Sequence, residues 1–316
     1  MEIKRRDFLK GIAGGAALAM AQPALALARE KSRLPDAVGI LYDATLCIGC
    51  QACMVGCRKA NDLPAETIGP QKLWDNPIDL SAKTLNIIKK YKDGTGAFKD
   101  REINGYSFIK RHCMHCVDPA CVSACPASAL TKDPKTGIVS YNKDACIGCR
   151  YCQVACPFLI PKFEWDNPFP KIVKCQLCDH LLAKGQLPGC CDLCPTGASL
   201  FGPAAALLED AKRRQNMQPG EYYDFPVSSI GSGKTQYQPA AQYIPKIYGE
   251  KEVGGTQVIM LAGVSFSKLG LPDLPERSYV ALAENIQHTL YKGMILPIVA
   301  LGGLIFLVKR TEGKKE

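Results

Sequence analysis

The chain has 316 residues, 17 of them cysteine, and a formal charge of +9 at neutral pH. No basic patch interleaved with aromatic side chains accompanies that charge, so nucleic-acid binding has no support. No nucleotide loop, nucleophile–base constellation or open metal site is legible, which argues against an enzyme with its own substrate pocket.

The N-terminus reads Lys4-Arg5-Arg6-Asp7-Phe8-Leu9-Lys10, a twin-arginine pair followed by Phe-Leu-Lys. Residues 11–21 form a short Gly/Ala-rich apolar stretch, and Ala26-Leu27-Ala28 is a small-residue cleavage site. Together they predict a twin-arginine signal peptide over residues 1–28, too short and too weakly apolar to span a membrane. A disordered basic tail would need neither the apolar stretch nor the cleavage site. About 288 residues then remain, enough for two modules and a tail.

Four cysteine quartets follow. The first is Cys47, Cys50, Cys53 and Cys57; the second is Cys113, Cys116, Cys121 and Cys125, with Pro126 next. The third is Cys146, Cys149, Cys152 and Cys156, followed by Pro157. The fourth is interrupted: Cys175 and Cys178, then Cys190 and Cys194, followed by Pro195. C-x2-C-x2-C-x3-C-P is the run in which three close cysteines hold one 4Fe-4S cubane and the fourth holds its neighbour. Gly49 and Gly148 sit in first gaps, where a missing Cβ lets backbone approach the sulfur. Pro126, Pro157 and Pro195 turn the chain away after the last cysteine. Arg58 follows Cys57 instead, so a different turn is expected there.

Four quartets predict four 4Fe-4S clusters and an electron conduit. A structural zinc protein would pair short Cys knuckles, and a disulfide framework has no reason to repeat C-x2-C followed by C-x3-C four times. A three-iron centre would need a quartet lacking a cysteine, and none does. The fourth-cysteine rule gives the ligand sets. Cluster 1 takes Cys47, Cys50, Cys53 and Cys194; cluster 2 takes Cys175, Cys178, Cys190 and Cys57. Cluster 3 takes Cys113, Cys116, Cys121 and Cys156; cluster 4 takes Cys146, Cys149, Cys152 and Cys125. Cys190 is preferred to Cys191 because it restores the x3 spacing to Cys194; Cys191 reads as a small buried residue.

The expected fold is α+β: two bacterial ferredoxin-like two-cluster modules with insertions, plus a single C-terminal transmembrane helix. Residues 113–157 form the contiguous module, and 47–57 with 175–194 form the second, within a four-cluster domain over 29–200. The insertion at 58–112 ends in a strand over 106–109. Trp74-Asp75-Asn76-Pro77 recurs as Trp165-Asp166-Asn167-Pro168, which reads as shared turn chemistry. His112 and His115 flank Cys113 and would shield or tune a cluster; His180 reads as a surface residue.

Beyond residue 200, an amphipathic helix is expected over 204–215, with Lys212, Arg213 and Arg214 at its C-terminal end. Residues 219–255, rich in Tyr, Pro and Gly, suit either an arm lying on a partner or a loop packed on its own domain. An apolar strand is expected over 256–264 and a turn over 269–275. Residues 201–289 together form an extended, partner-contacting region. His288 precedes a hydrophobic stretch over 293–308 that Leu290 and Tyr291 extend, giving an anchor at 290–308 with flanking lysines able to snorkel. The basic tail, 309–316, then falls on the cytoplasmic side. Losing residues 1–28 lowers the formal charge from +9 to +7. Four oxidised cubanes at about −2 each bring it to roughly −1, so the basic balance comes from counting ligands as neutral.

Three stretches carry a resemblance: Leu41-Tyr42-Asp43-Ala44-Thr45-Leu46-Cys47, Lys110-Arg111-His112-Cys113-Met114-His115-Cys116-Val117-Asp118-Pro119, and Glu284-Asn285-Ile286-Gln287-His288-Thr289-Leu290-Tyr291-Lys292-Gly293-Met294. The chain resembles the four-cluster ferredoxin-type subunit of membrane-bound, exported nickel–iron (NiFe) hydrogenases of the hydrogenase-2 type. That resemblance implies a non-catalytic electron-transfer subunit between the hydrogenase small subunit, with its large subunit, and an integral-membrane quinone-reacting subunit. It implies a place on the periplasmic face of the inner membrane. The cysteine pattern alone is shared with the corresponding subunits of formate dehydrogenases and other molybdenum oxidoreductases, the alternative reading.

Overall fold

The computed structural model describes residues 31–66 and 77–281, and beyond them only 283, 294, 298, 301–303 and 305. The signal peptide over 1–28, Trp74, His288 and most of the 290–308 anchor therefore lie outside the described residues. Among the described residues no helix is long and apolar enough to cross a membrane. Residues from Lys31 to Ser278 make one compact unit.

Its centre is a three-stranded sheet. Strand β1 (Val38–Asp43) is almost wholly apolar and buried on both faces. By the two-residue period of a strand, Ile40 and Tyr42 face the larger core while Leu41 faces a smaller one. Strand β12 (Val258–Leu261) repeats the division, with Val258 and Met260 on the first side and Ile259 and Leu261 on the second. β12 lies parallel to β1, and β9 (Ser199–Pro203) lies antiparallel to it on the other edge. The smaller core is closed by Leu207, Leu208 and Ala211 of helix α6 (Ala204–Gln215). That helix occupies the expected residues, with Lys212, Arg213 and Arg214 in its last turn, where they favour the helix dipole.

Between β1 and β9 the chain makes two nested excursions. The outer one begins with helix α1 (Ala52–Ala60) and returns through helices α4 (Asp179–Leu182) and α5 (Gly189–Asp192). A Cβ on Gly56 would stand 2.1 Å from the Gly189 carbonyl oxygen, and one on Gly189 would stand 2.5 Å from that of Gly56. Only glycine at both positions allows α1 and α5 to pack this closely. Next comes a sheet in the order β2 (Ile87–Lys92), β4 (Gly105–Arg111), β3 (Phe98–Lys99), which contains the strand expected over 106–109. The inner excursion has helices α2 (Ala120–Ser123) and α3 (Tyr151–Ala155), and the hairpin of β5 (Leu130–Lys132) and β6 (Val139–Tyr141). A short pair, β7 (Lys162–Phe163) with β8 (Ile172–Val173), closes it.

Residues 219–255 carry the hairpin of β10 (Tyr222–Pro226) and β11 (Thr235–Pro239). Phe225 and Tyr248 are buried in the larger core and Ile247 in the smaller, so the segment is folded onto the domain. On its outer side the exposed rings of Tyr222 and Tyr237 stand 5.3 Å apart.

Candidate iron–sulfur centres

Each quartet opens with the same local turn. The residue before the second cysteine is left-handed in all four: Gly49 (φ 70°), His115 (φ 46°), Gly148 (φ 71°) and Leu177 (φ 54°). The turn points an amide back at the preceding sulfur: Gly49, Gly148 and Leu177 donate to Cys47, Cys146 and Cys175 Sγ, each at 3.4 Å. Glycine is therefore used at 49 and 148 for its positive φ, where the sequence suggested close approach to sulfur. His115 and Leu177 hold the same conformation at a cost of about 1–2 kcal/mol each. His115 is fixed by its ring, whose Nδ1 accepts the Val139 N–H at 3.1 Å.

The end of the first quartet differs, as Arg58 foreshadowed. Without a proline to stop it, α1 runs through Cys57 to Ala60. Cys53 and Cys57 thus sit one turn apart on one helix. In the third quartet α3 stops at Ala155 and Cys156 is extended.

The sixteen quartet cysteines come together in four groups, each recruiting its fourth member from a distant segment. Cys47, Cys50, Cys53 and Cys194 line one cavity. Cys125, Cys146, Cys149 and Cys152 line another, where burial and then the other three thiols push Cys152 up to about 11. Burial, then the charges of Cys175, Cys190 and Cys178, push the Cys57 thiol up. Burial, then Cys156, Cys113 and Cys121, do the same to Cys116. Among the described residues no three His, Cys, Asp or Glu side chains approach closely enough to hold a single metal ion; in the first and fourth groups the thiols line a cavity.

Successive groups also feel one another. Cys190 of the second group is among the charges felt by Cys53 of the first. Cys113 of the third is felt by Cys175 of the second, and Cys152 of the fourth by Cys121 of the third. Exposure follows that order. Cys50 in the first group and Cys149 in the fourth are exposed, whereas no cysteine of the two inner groups is.

Particular donors work against that burial penalty. Ala129 N–H donates to Cys125 Sγ at 3.2 Å and Ser199 N–H to Cys194 Sγ at 3.4 Å. The buried neighbours Cys191 and Lys110 outweigh burial and hold the Cys190 thiol below its usual range. Three lysines reach into this interior. Lys110 is fully buried against Ser199 Oγ at 3.0 Å. Lys174 donates to the Val139 and Cys175 carbonyls, and Lys132 to those of Cys116 and Gly137, both at 2.9 Å. Sequence reasoning missed all three; the available signal was a lysine inside an apolar run just ahead of a first cysteine, as at 110 and 174. A donor set of thiols, aimed amides and buried cations fits a polyanionic metal–sulfide group.

The histidines divide. His112 and His115 are buried, and burial followed by nearby lysine charge pushes both well below the usual range. His180 is at the surface and bonds the Ala60 carbonyl at 2.7 Å through Nε2.

The 4Fe-4S dicluster domain family matches residues 105–204. Over 315 residues, the chain is 49% identical to the hydrogenase-2 operon protein HybA of Escherichia coli O157:H7, covering 98% of this chain and 96% of that protein. It is 34% identical over 281 residues to the iron-sulfur subunit of the nitrate-inducible formate dehydrogenase of Escherichia coli K12, covering 85% and 83%. The formate dehydrogenase iron-sulfur subunit of Haemophilus influenzae is 34% identical over 276 residues, covering 84% of this chain and 76% of that one.

Proposed function

The chain belongs to the HybA family of iron–sulfur proteins, and from that premise we propose that it is the electron-transfer subunit of a hydrogenase complex. It carries 4Fe-4S groups and is not itself catalytic. The observation that carries the reading is the succession of thiol groups that feel one another, with exposed Cys50 in the first and exposed Cys149 in the last. When bound, each 4Fe-4S group supplies one-electron redox chemistry.

The protein's own residues supply the rest. Four centres are held by Cys47, Cys50, Cys53 and Cys194; by Cys57, Cys175, Cys178 and Cys190; by Cys113, Cys116, Cys121 and Cys156; and by Cys125, Cys146, Cys149 and Cys152. Aimed amides favour the charged thiolates. The buried inner groups keep water away, while the exposed ends face other proteins. Those partners are a NiFe hydrogenase small subunit with its large subunit, and an integral-membrane quinone-reacting subunit. The region 201–289, with the exposed Tyr222–Tyr237 pair, contributes contact surface.

Motifs near the two ends of the chain support a location. Lys4-Arg5-Arg6 and Ala26-Leu27-Ala28 support export by the twin-arginine route, which carries folded proteins and so permits centres to be loaded first. The apolar 290–308 segment between lysines supports a single inner-membrane anchor with the domain on the periplasmic face.

The alternative partner is a formate dehydrogenase, and the 34% identity to its iron-sulfur subunits against 49% to HybA favours the hydrogenase. The test is to isolate the complex anaerobically in detergent and follow its brown absorbance. Bleaching by hydrogen supports the proposal. Bleaching by formate alone transfers the chain to a molybdenum enzyme, and a colourless protein points to zinc.

A further inference from the structure

The most unusual charge in the domain is Lys110. Its strand, β4, is buried at five of seven positions, and the lysine is 0% exposed. A bare ammonium there carries a desolvation penalty of several kcal/mol unless it is paired. Among the described residues no carboxylate pairs with it; its counter-charges are sulfur. Nζ donates to Ser199 Oγ at 3.0 Å, and the Ser199 N–H donates to Cys194 Sγ, in the first thiol group, at 3.4 Å. The thiols of Cys190, in the second group, and Cys53, in the first, are the leading charges it feels. It is therefore tied through Ser199 to the ligand shell of the first group and lies within the electrostatic reach of the second. Lys132 and Lys174 differ, because their Nζ atoms are spent on carbonyl oxygens.

We propose that Lys110 is a fixed counter-charge shared by the first and second centres, and that it raises the reduction potential of both. The inference rests on the four-centre reading above. Each reduction adds one electron, hence one negative charge, to a centre already anionic. A cation held beside it in a low-dielectric interior favours the added charge. No proton moves: the lysine stays protonated in both redox states. Because one ammonium serves two centres, its removal must lower two potentials together. Lys110 is a positioning charge, and potential is the readout that a purely structural role would leave alone.

The experiment is a redox titration of the anaerobically isolated complex, followed by electron paramagnetic resonance. Lys110→Gln can keep a bond to Ser199 but loses the charge; Lys110→Arg keeps the charge; Lys132→Met serves as a control near the third group. The expected result is a downward shift of two of the four midpoint potentials in the Gln variant. In the Arg variant all four should match the unsubstituted complex. In the Lys132→Met variant the shift should fall on a different centre. Four potentials unmoved by Lys110→Gln would overturn the inference while leaving the electron-transfer reading intact, as would an Arg variant that falls as far as Gln. If Gln loses iron, the Arg potentials alone decide between charge and shape. A complex lacking a centre at Cys190 would overturn both readings.

Discussion

Replacing Arg214 by methionine tests how the sheet that carries the first quartet is held in place. Arg214 is 0% exposed and lies over the Phe225 ring, 5.1 Å from its centroid. Its Nη1 donates to Asp43 Oδ2 at 2.9 Å and its Nε to Asp210 Oδ2 at 2.7 Å. Asp43 is also 0% exposed and ends β1, just before Cys47. Methionine fills much of the space but leaves that carboxylate without its cation. Breaking a buried pair from one side costs about 3–5 kcal/mol. Asp210 can still turn to Arg213, which donates at 2.7 Å, so the cost falls on Asp43. That carboxylate keeps Thr45 N–H at 3.0 Å, Thr45 Oγ1 at 2.6 Å and Tyr243 Oη at 2.8 Å. Those donors place the loss at the lower end, about 3 kcal/mol. Adding Asp43→Asn removes the stranded charge, so the double variant should be less destabilised than the two single losses summed, by about 1–3 kcal/mol. Urea unfolding followed by circular dichroism, on samples of equal iron content, measures all four corners of the cycle. A loss below about 1 kcal/mol for Arg214→Met, or strictly additive losses, would refute the reasoning.

Cys57→Ser should damage the centre of Cys175, Cys178 and Cys190 more than that of Cys47, Cys50 and Cys53, read as loss of one resonance set and not the other. Gly56→Val drives a side chain into the Gly189 carbonyl, which a Cβ would meet at 2.1 Å; it should cost the same centre while the contiguous module over 113–157 keeps its iron. His115→Ala strands the buried Val139 N–H and should cost about 1–3 kcal/mol in chemical unfolding; an unchanged urea midpoint would contradict the assigned bond.

What could be read from the chain was whatever is local and repeated. Helix α6 was legible because an apolar stripe and a cationic last turn agree over twelve residues. The four quartets were legible because C-x2-C followed by C-x3-C recurs. The pairing of β1 with β12 was not, since Ile40 and Val258 meet across most of the chain. Lys110 resembles any other strand lysine until its neighbours arrive from distant segments. The partnership of Gly56 with Gly189 is likewise a property of two helices that only the fold brings together. Composition could not decide the packing of 219–255, because its tyrosines divide: Tyr248 is buried, while Tyr222 and Tyr237 are exposed.

The central claim is that sixteen cysteines hold four cubanes. Iron and acid-labile sulfide analysis of the anaerobically purified chain, with Mössbauer spectroscopy to identify the species, tests it most directly. The account predicts about sixteen irons and about sixteen sulfides per chain, all in 4Fe-4S form. About eight irons, or zinc in their place, would contradict it.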